Sequence, residues 1–163
     1  TEFHEMLMVG SMAPLPLDPA RIAARFSEPG VRKALAEVGV ASPAALLATW
    51  VTDRDGLARF AGQTPAVTDN RPAIEYATWV RPREVARTLP ALLAERGPPP
   101  LAAVGEEMSR EIDRERNVLD LFYRSALAAY EGDREGWARN AAQLEAVRGD
   151  NPYLRWFAGR QSE

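Results

Sequence analysis

The stretch from Val67 to Tyr76 constrains the fold of this chain more than any other part of the sequence. It combines turn-forming residues, a potential ion pair and an apolar run that alternates as a β-strand does, and helical patterns lie on both sides. The proline in Arg71-Pro72 holds Arg71 in an extended conformation, because its ring disfavours helical backbone at the preceding residue. We therefore predict a mainly α-helical fold around a small β element, with strands near residues 5–10 and 73–80.

Proline and glycine divide the sequence around this stretch into short helices. Asp18-Pro19 and Ser42-Pro43 each place a capping side chain before a proline at the first helical position. Gly39 is a plausible helix stop, because glycine readily adopts the left-handed backbone that ends many helices. The predicted helices are 19–27, 31–38, 44–51, one capped by Thr52 or Asp53, and 82–96 with a kink or break at Pro90. Helices this short are marginal alone and must be held by packing.

The clearest boundary is Gly97-Pro98-Pro99-Pro100, since three prolines after a glycine stop a helix and favour a stiff extended spacer. We predict a first segment at 1–96, a proline-rich linker at 97–100 and a helical tail at 101–163. Apolar residues in the tail recur at spacings that predict one long helix and then a helical hairpin. The apolar stripe of the tail is Val104, Met108, Ile112, Leu119, Phe122, Ala126, Ala129, Trp137, Ala141, Leu144 and Val147.

Opposite charges three or four residues apart mark a solvated face of the long helix. These pairs are Glu106 with Arg110, Glu111 with Arg114, and Asp113 with Arg116.

Composition excludes several classes of protein. The chain is 46% hydrophobic and 26% charged, as ordinary folded proteins are, and its net charge of −3 gives no field to hold nucleic acid. The absence of cysteine excludes disulfides and thiolate sites, and it is compatible with the cytoplasmic location that we predict. No apolar run is long enough to span a bilayer. We also expect this chain to be the end piece of a longer protein.

Candidate chemistry is sparse. His4 is the only histidine, so a multi-histidine metal site is impossible, and we predict no catalytic residue, metal or cofactor in this chain. The central turn carries the strongest candidates, Asp69, Arg71 and Glu75. Asp69 can accept backbone N–H bonds and Arg71 can make a two-pronged bridge to a carboxylate, so these residues either brace the loop or contact a ligand.

Four sequence motifs lie between residues 5 and 80, and their order along the chain is informative. They are Met6-Leu7-Met8-Val9-Gly10-Ser11, Pro16-Leu17-Asp18, Ser42-Pro43-Ala44-Ala45-Leu46-Leu47 and Thr68-Asp69-Asn70-Arg71-Pro72-Ala73-Ile74-Glu75-Tyr76. This succession resembles the C-terminal end of spermidine synthase-like proteins, including bacterial ones fused to a membrane-transporter-like half. The family typically has a second acidic residue where this chain has Asn70.

The resemblance implies a segment that closes a Rossmann-like transferase domain. The family's glycine-rich cofactor turn and acidic amine-binding loop would lie upstream of Thr1, and no Gly-x-Gly-x-x-Gly motif occurs here. We therefore expect this chain to be a non-catalytic C-terminal domain. Its expected partner is the upstream Rossmann-like domain or another protein. If the parent protein is of the fused type, we expect that parent to be membrane-associated. The alternative is the substrate-facing part of an aminopropyltransferase-like enzyme.

A second resemblance covers residues 122–159, which are similar to a single tetratricopeptide unit. Its landmarks are Phe122-Tyr123, Ala126, Tyr130, Gly132-Asp133, Ala142 and Asn151-Pro152. One unit cannot form a solenoid, because about three repeats are needed to bury a continuous core. An ordinary helical hairpin is the alternative interpretation. The tetratricopeptide-like interpretation predicts a peptide-binding groove lined by Tyr123, Tyr130 and Trp137.

Overall fold

The computed structural model describes residues 13, 16–62, 64 and 82–157, and this part of the chain is mainly α-helical, as predicted. The predicted strands near 5–10 and 73–80 lie outside the described residues. Within them the helices are α1 (Pro19–Phe26), α2 (Pro29–Glu37), α3 (Pro43–Ala48), α4 (Arg54–Ala61), α5 (Pro82–Ala94), α6 (Glu106–Glu131), α7 (Arg134–Arg148) and α8 (Pro152–Phe157).

The predicted capping residues begin their helices. The side chains of Asp18, Ser42 and Asp53 each accept a hydrogen bond from a backbone N–H two or three residues further on, at 2.9 to 3.0 Å. Each bond satisfies an N–H group that the first helical turn leaves without a partner, which typically stabilises a helix by about 1 kcal/mol. Of the two predicted candidates for the cap of α4, Thr52 and Asp53, the capping residue is Asp53.

The main differences from the predicted helices concern α2, α3 and α5. Helix α2 begins at Pro29 instead of Val31. Proline is tolerated at the first helical position, because the N–H group of that position has no partner within the helix in any case. Helix α3 ends at Ala48 instead of Val51. Helix α5 continues through Pro90, which therefore does not divide it. Pro90 is exposed, so solvent can hydrate the carbonyl that loses its helical donor.

A first core cluster joins α3 to α6. Ala44, Leu47 and Ala48 on α3 are buried together with Ile112 on α6. The two alanines lie four residues apart on one face of α3, and their small size lets α6 approach closely. Partly buried apolar residues surround this cluster: Leu17, Ile22, Leu101, Met108 and Leu119. The cluster therefore contains residues from both sides of the proline-rich segment.

A second core cluster holds the tail helices together. Its buried members are Val118 and Phe122 on α6, Leu144 on α7 and Leu154 on α8. Gly132 has a φ of 76° and ends α6 in the left-handed conformation, which glycine adopts without steric cost. The chain then reverses directly into α7, so that α6 and α7 pack side by side. The long helix and the hairpin that the sequence predicts are both present.

The predicted apolar stripe is wrong at three positions. Val104 is exposed because it precedes the first residue of α6. Ala129 is exposed and its neighbour Ala128 is buried. Val147 is exposed because Arg148, four residues after the buried Leu144, takes the inward position on α7 and pairs with α6.

The proline-rich segment has backbone hydrogen bonds to the first segment near both of its ends. The Gly97 N–H donates to the Val51 carbonyl at 2.8 Å. The Leu17 N–H donates to the Pro100 carbonyl at 2.7 Å, and the Leu17 carbonyl accepts from Ala102 at 3.0 Å. These last two bonds form an isolated parallel bridge between Leu17 and residue 101.

A side chain joins the end of the tail to the turn after α2. The Asn151 Nδ2 donates to the Gly39 carbonyl at 2.9 Å, and its Oδ1 accepts from the Tyr153 N–H at 3.1 Å at the start of α8. Gly39 has a φ of 81°, and a Cβ atom there would lie 3.1 Å from the Tyr153 Cβ. The left-handed backbone therefore favours glycine at position 39, and a side chain there would also crowd Tyr153.

Candidate functional site

Two arginines meet where the chain leaving α5 crosses the middle of α6. Arg96 follows α5 and donates from Nη1 to the Asp120 carboxylate at 2.8 Å. Arg116 on α6 donates from Nη2 to the Gly97 carbonyl at 2.7 Å. We call Arg96, Arg116, Asp120 and Tyr123 the arginine junction.

Three nitrogens of the arginine junction are buried without an acceptor. The side chain of Arg96 is only 12% exposed, and its Nε and Nη2 have no hydrogen-bond partner in the described part of the chain. The same holds for the Nε of Arg116. A buried donor without an acceptor lowers the stability of the folded state by about 1–3 kcal/mol, and by more when it is charged. The three N–H donors of this arrangement could therefore still bind an acceptor.

The electrostatics of the junction follow from this burial. Burial lowers the pKa of Arg116, and the nearby charge of Arg96 lowers it further, against the opposing effects of Asp113 and Asp120. Arg116 nevertheless keeps its charge at neutral pH, because the guanidinium group starts from a very high pKa. Two like charges therefore lie close together in a partly buried place.

Tyr123 forms the aromatic side of the junction. The Arg96 Cζ lies 5.8 Å from the centre of its ring, within the range of a cation–π contact. Burial raises the pKa of the Tyr123 hydroxyl, and Asp120 raises it further, whereas the charge of Arg96 and its polar contact with the hydroxyl lower it. That contact does not meet the geometry of a hydrogen bond from Nε or Nη2 of Arg96. The ring also packs edge-on against Phe122, with 5.8 Å between the ring centres.

The predicted groove residues lie on two helices. Tyr123 is half-buried and packs against the second core cluster. Tyr130, seven residues later, lies on the same face of α6, and Trp137 lies in the first turn of α7. Both are half-buried. Tyr123 thus serves the core and the junction, and a groove along these three aromatic residues stays a prediction.

The remaining predicted site residues fall outside the described residues. These are Asp69, Arg71 and Glu75 of the central turn. Their roles in bracing the loop or contacting a ligand stay predictions.

A charged cleft of about 260 Å³ lies between α3, α6 and α7. It is lined by Ser42, Ala44, Glu111, Arg114, Glu115 and Arg148. Its charges are balanced within the protein, since Arg148 pairs with Glu115, and Arg114 lies 3.8 Å from Glu111. The hydroxyl of Ser42 already caps α3. The cleft therefore offers a ligand little unused polar capacity.

Metal-site arrangements and membrane-spanning helices are absent from the described residues. No group of three acidic or histidine side chains in this part of the chain has the arrangement of a metal site. None of the helices that the structure describes combines the length and the apolar character needed to cross a bilayer.

Comparisons with protein-family models, with curated proteins and with solved structures find no match to this chain. The resemblances to spermidine synthase-like proteins and to a tetratricopeptide unit therefore stay predictions.

The arginine junction is what the sequence analysis missed. The sequence predicts that Arg116 pairs with Asp113 on a solvated face, but its side chain is partly buried and bonds to Gly97. The sequence did contain a signal that a donor side chain is needed near Gly97. The three prolines after Gly97 have no backbone N–H groups, so carbonyls that become buried when the chain folds back there need donors from elsewhere. Asp120, four residues after Arg116, marks the same helix face.

Proposed function

We propose that this chain is a non-catalytic helical domain of a spermidine synthase-like protein, with a structural or protein-interaction role. The family rests on the sequence resemblance alone, and the observation that most supports a structural role is the first core cluster, in which Ile112 of the tail packs against α3. A tail that packs on the first segment makes one continuous scaffold, and scaffolds of this kind present fixed surfaces to a neighbouring domain or protein.

The side-chain contacts are consistent with such a role. Asp18, Ser42 and Asp53 cap helices, and Asn151 joins α8 to the turn after α2. These polar groups hold the helices in place. The partner that we propose is the upstream Rossmann-like domain expected from the resemblance.

The direct test is calorimetry on the full chain with decarboxylated S-adenosylmethionine, methylthioadenosine and spermidine. We expect no saturable heat with any of the three, because the family's cofactor turn and amine loop are not in this sequence. Saturable binding of any one of them would refute a non-catalytic role. The reading frame upstream of Thr1 supplies a second check, since the proposal requires a nucleotide-binding domain there.

A substrate-facing role for the central turn is the alternative from the same resemblance. It requires Asp69 and Arg71 to contact substrate in the complete enzyme. In the full-length parent, alanine at either position would then abolish transfer and leave the melting temperature unchanged. A lowered melting temperature would instead identify the two residues as braces of the loop.

Peptide binding by the tail is a second candidate function, favoured by the placement of Tyr130 on α6 and Trp137 on the adjoining α7. If these residues line a groove, the double variant Tyr130→Ala, Trp137→Ala loses its partners in a pull-down and keeps its helical circular dichroism. Retained partners, or loss of helix, would exclude the groove.

A further inference from the structure

We propose that Arg96 and Arg116 form a binding site for a small oxyanion, either a phosphate or a carboxylate. The three guanidinium nitrogens without an acceptor carry this proposal. Guanidinium groups present their N–H donors in a planar fork that matches the oxygens of phosphates and carboxylates. The proposal rests on the arginine junction alone and is independent of the function proposed above.

The charges around the junction favour an added anion. Arg96 and Arg116 bring two positive charges, and Asp120 is the carboxylate that bonds to one of them. Asp113 acts on Arg116 from a distance, since its side chain is exposed and the hydrogen bond of Arg116 goes to the Gly97 carbonyl. A neutral carbonyl does not balance a guanidinium charge. The pair therefore attracts a second negative group, whose oxygens could accept its unused N–H bonds.

Asp120 offers the route of entry. Its side chain is 36% exposed and occupies Nη1 of Arg96, whereas the three nitrogens without acceptors are closed to solvent. An incoming oxyanion would therefore take the place of the Asp120 carboxylate and reach the inner nitrogens as the side chain of Arg96 turns. The carboxylate of Asp120 is thus a competitor for the site as well as a partner of Arg96.

Nuclear magnetic resonance of the arginine Nε–Hε groups tests this proposal on the full chain. Sodium phosphate and sodium acetate are titrated separately at ionic strength held constant with sodium chloride. We expect saturable shifts of the Arg96 and Arg116 signals with at least one of the two anions, and the stronger response identifies the ligand class. Shifts that grow linearly without saturation, or no shifts with either anion, would overturn the proposal.

A pair of charge-removing variants provides the matched control. Arg116→Met removes a junction guanidinium, and Arg114→Met removes the same charge from a side chain on the same helix that is 68% exposed. Loss of a charge-assisted hydrogen bond predicts about tenfold weaker binding for Arg116→Met, and unchanged binding for Arg114→Met. Equal weakening in both variants would show an effect of net charge and would overturn the site.

Two further variants keep the test decisive if Arg116→Met does not fold. Arg116→Lys retains the positive charge and lacks the guanidinium fork, so we expect weaker binding with an unchanged circular dichroism spectrum. Asp120→Asn removes the competing negative charge, so we expect binding several-fold tighter than in the wild type. Unchanged or weaker binding by Asp120→Asn would contradict the route of entry and the site with it.

Discussion

The helix pair α1–α2 and the helix pair α6–α7 are built on different principles. Helices α1 and α2 together bury a single side chain, Phe26. Helix α6 buries six residues and α7 buries two. Both pairs have the start and stop signals of well-formed helices. The difference indicates that local signals define where α1 and α2 lie along the chain, whereas tertiary burial holds α6 and α7 in place.

The largest effect should come from removing the core of α7. Leu144→Ala replaces a side chain that is 2% exposed in the second core cluster, and we expect a loss of about 2–5 kcal/mol from the lost burial and the cavity. The matched change on α2 is Leu35→Ala, at a half-buried position, where we expect less than half of that loss. Urea unfolding midpoints measure both. Equal losses would show that the two helix pairs are held alike.

The link between the two regions should give the next largest effect. Asn151→Ala removes the start cap of α8 and the bond to Gly39, and we expect a loss of about 1–2 kcal/mol. Asn117→Ala is the control, because Asn117 is an exposed asparagine on α6, and its change should be close to neutral. Thermal unfolding compares them. A neutral Asn151→Ala would mean that the tail end does not depend on this contact.

A local cap should contribute less than a tertiary contact. Asp53→Ala removes the carboxylate that accepts the Gly56 N–H, and we expect a loss of about 1 kcal/mol. Asp55→Ala removes the same charge from the first turn of α4 without removing a capping bond, and should cost about 0.3 kcal/mol through the helix dipole. Chemical denaturation of both variants makes the comparison. A larger loss for Asp55→Ala would disprove the capping role.

The smallest effect should appear at alkaline pH. The folded protein raises the pKa of Tyr123 above its ordinary value of 10.0, so the folded state favours the neutral hydroxyl. The unfolded chain therefore loses this proton first, and the stabilising contribution is complete below about pH 10 and declines as the pH rises through the folded pKa. Unfolding midpoints between about pH 8 and 11 should fall more steeply for the wild type than for Tyr123→Phe. Parallel curves would refute this dependence.

Most helix positions could be predicted from the sequence, whereas the prolines after Gly97 indicate only that donors are needed there and not which side chains supply them. Capping by Asp18, Ser42 and Asp53 acts over two or three residues, so it is visible in a short window. The helical period of the tail likewise shows that α6 is long, yet it assigns Val147 to the wrong face of α7. The helical period predicts which residues share a face of the helix. It does not predict how much of that face the neighbouring helices bury.

The sequence by itself determined where the described helices begin and end, to within a few residues, and that the fold is mainly helical, because caps, prolines and apolar spacing are local properties. Only the tertiary structure decided that Arg116 bonds to Gly97 and that Asn151 bonds to Gly39. Each of these contacts joins residues far apart in the chain. These contacts form only when whole helices pack together. A buried carbonyl then accepts a hydrogen bond from the donor that the packing places beside it.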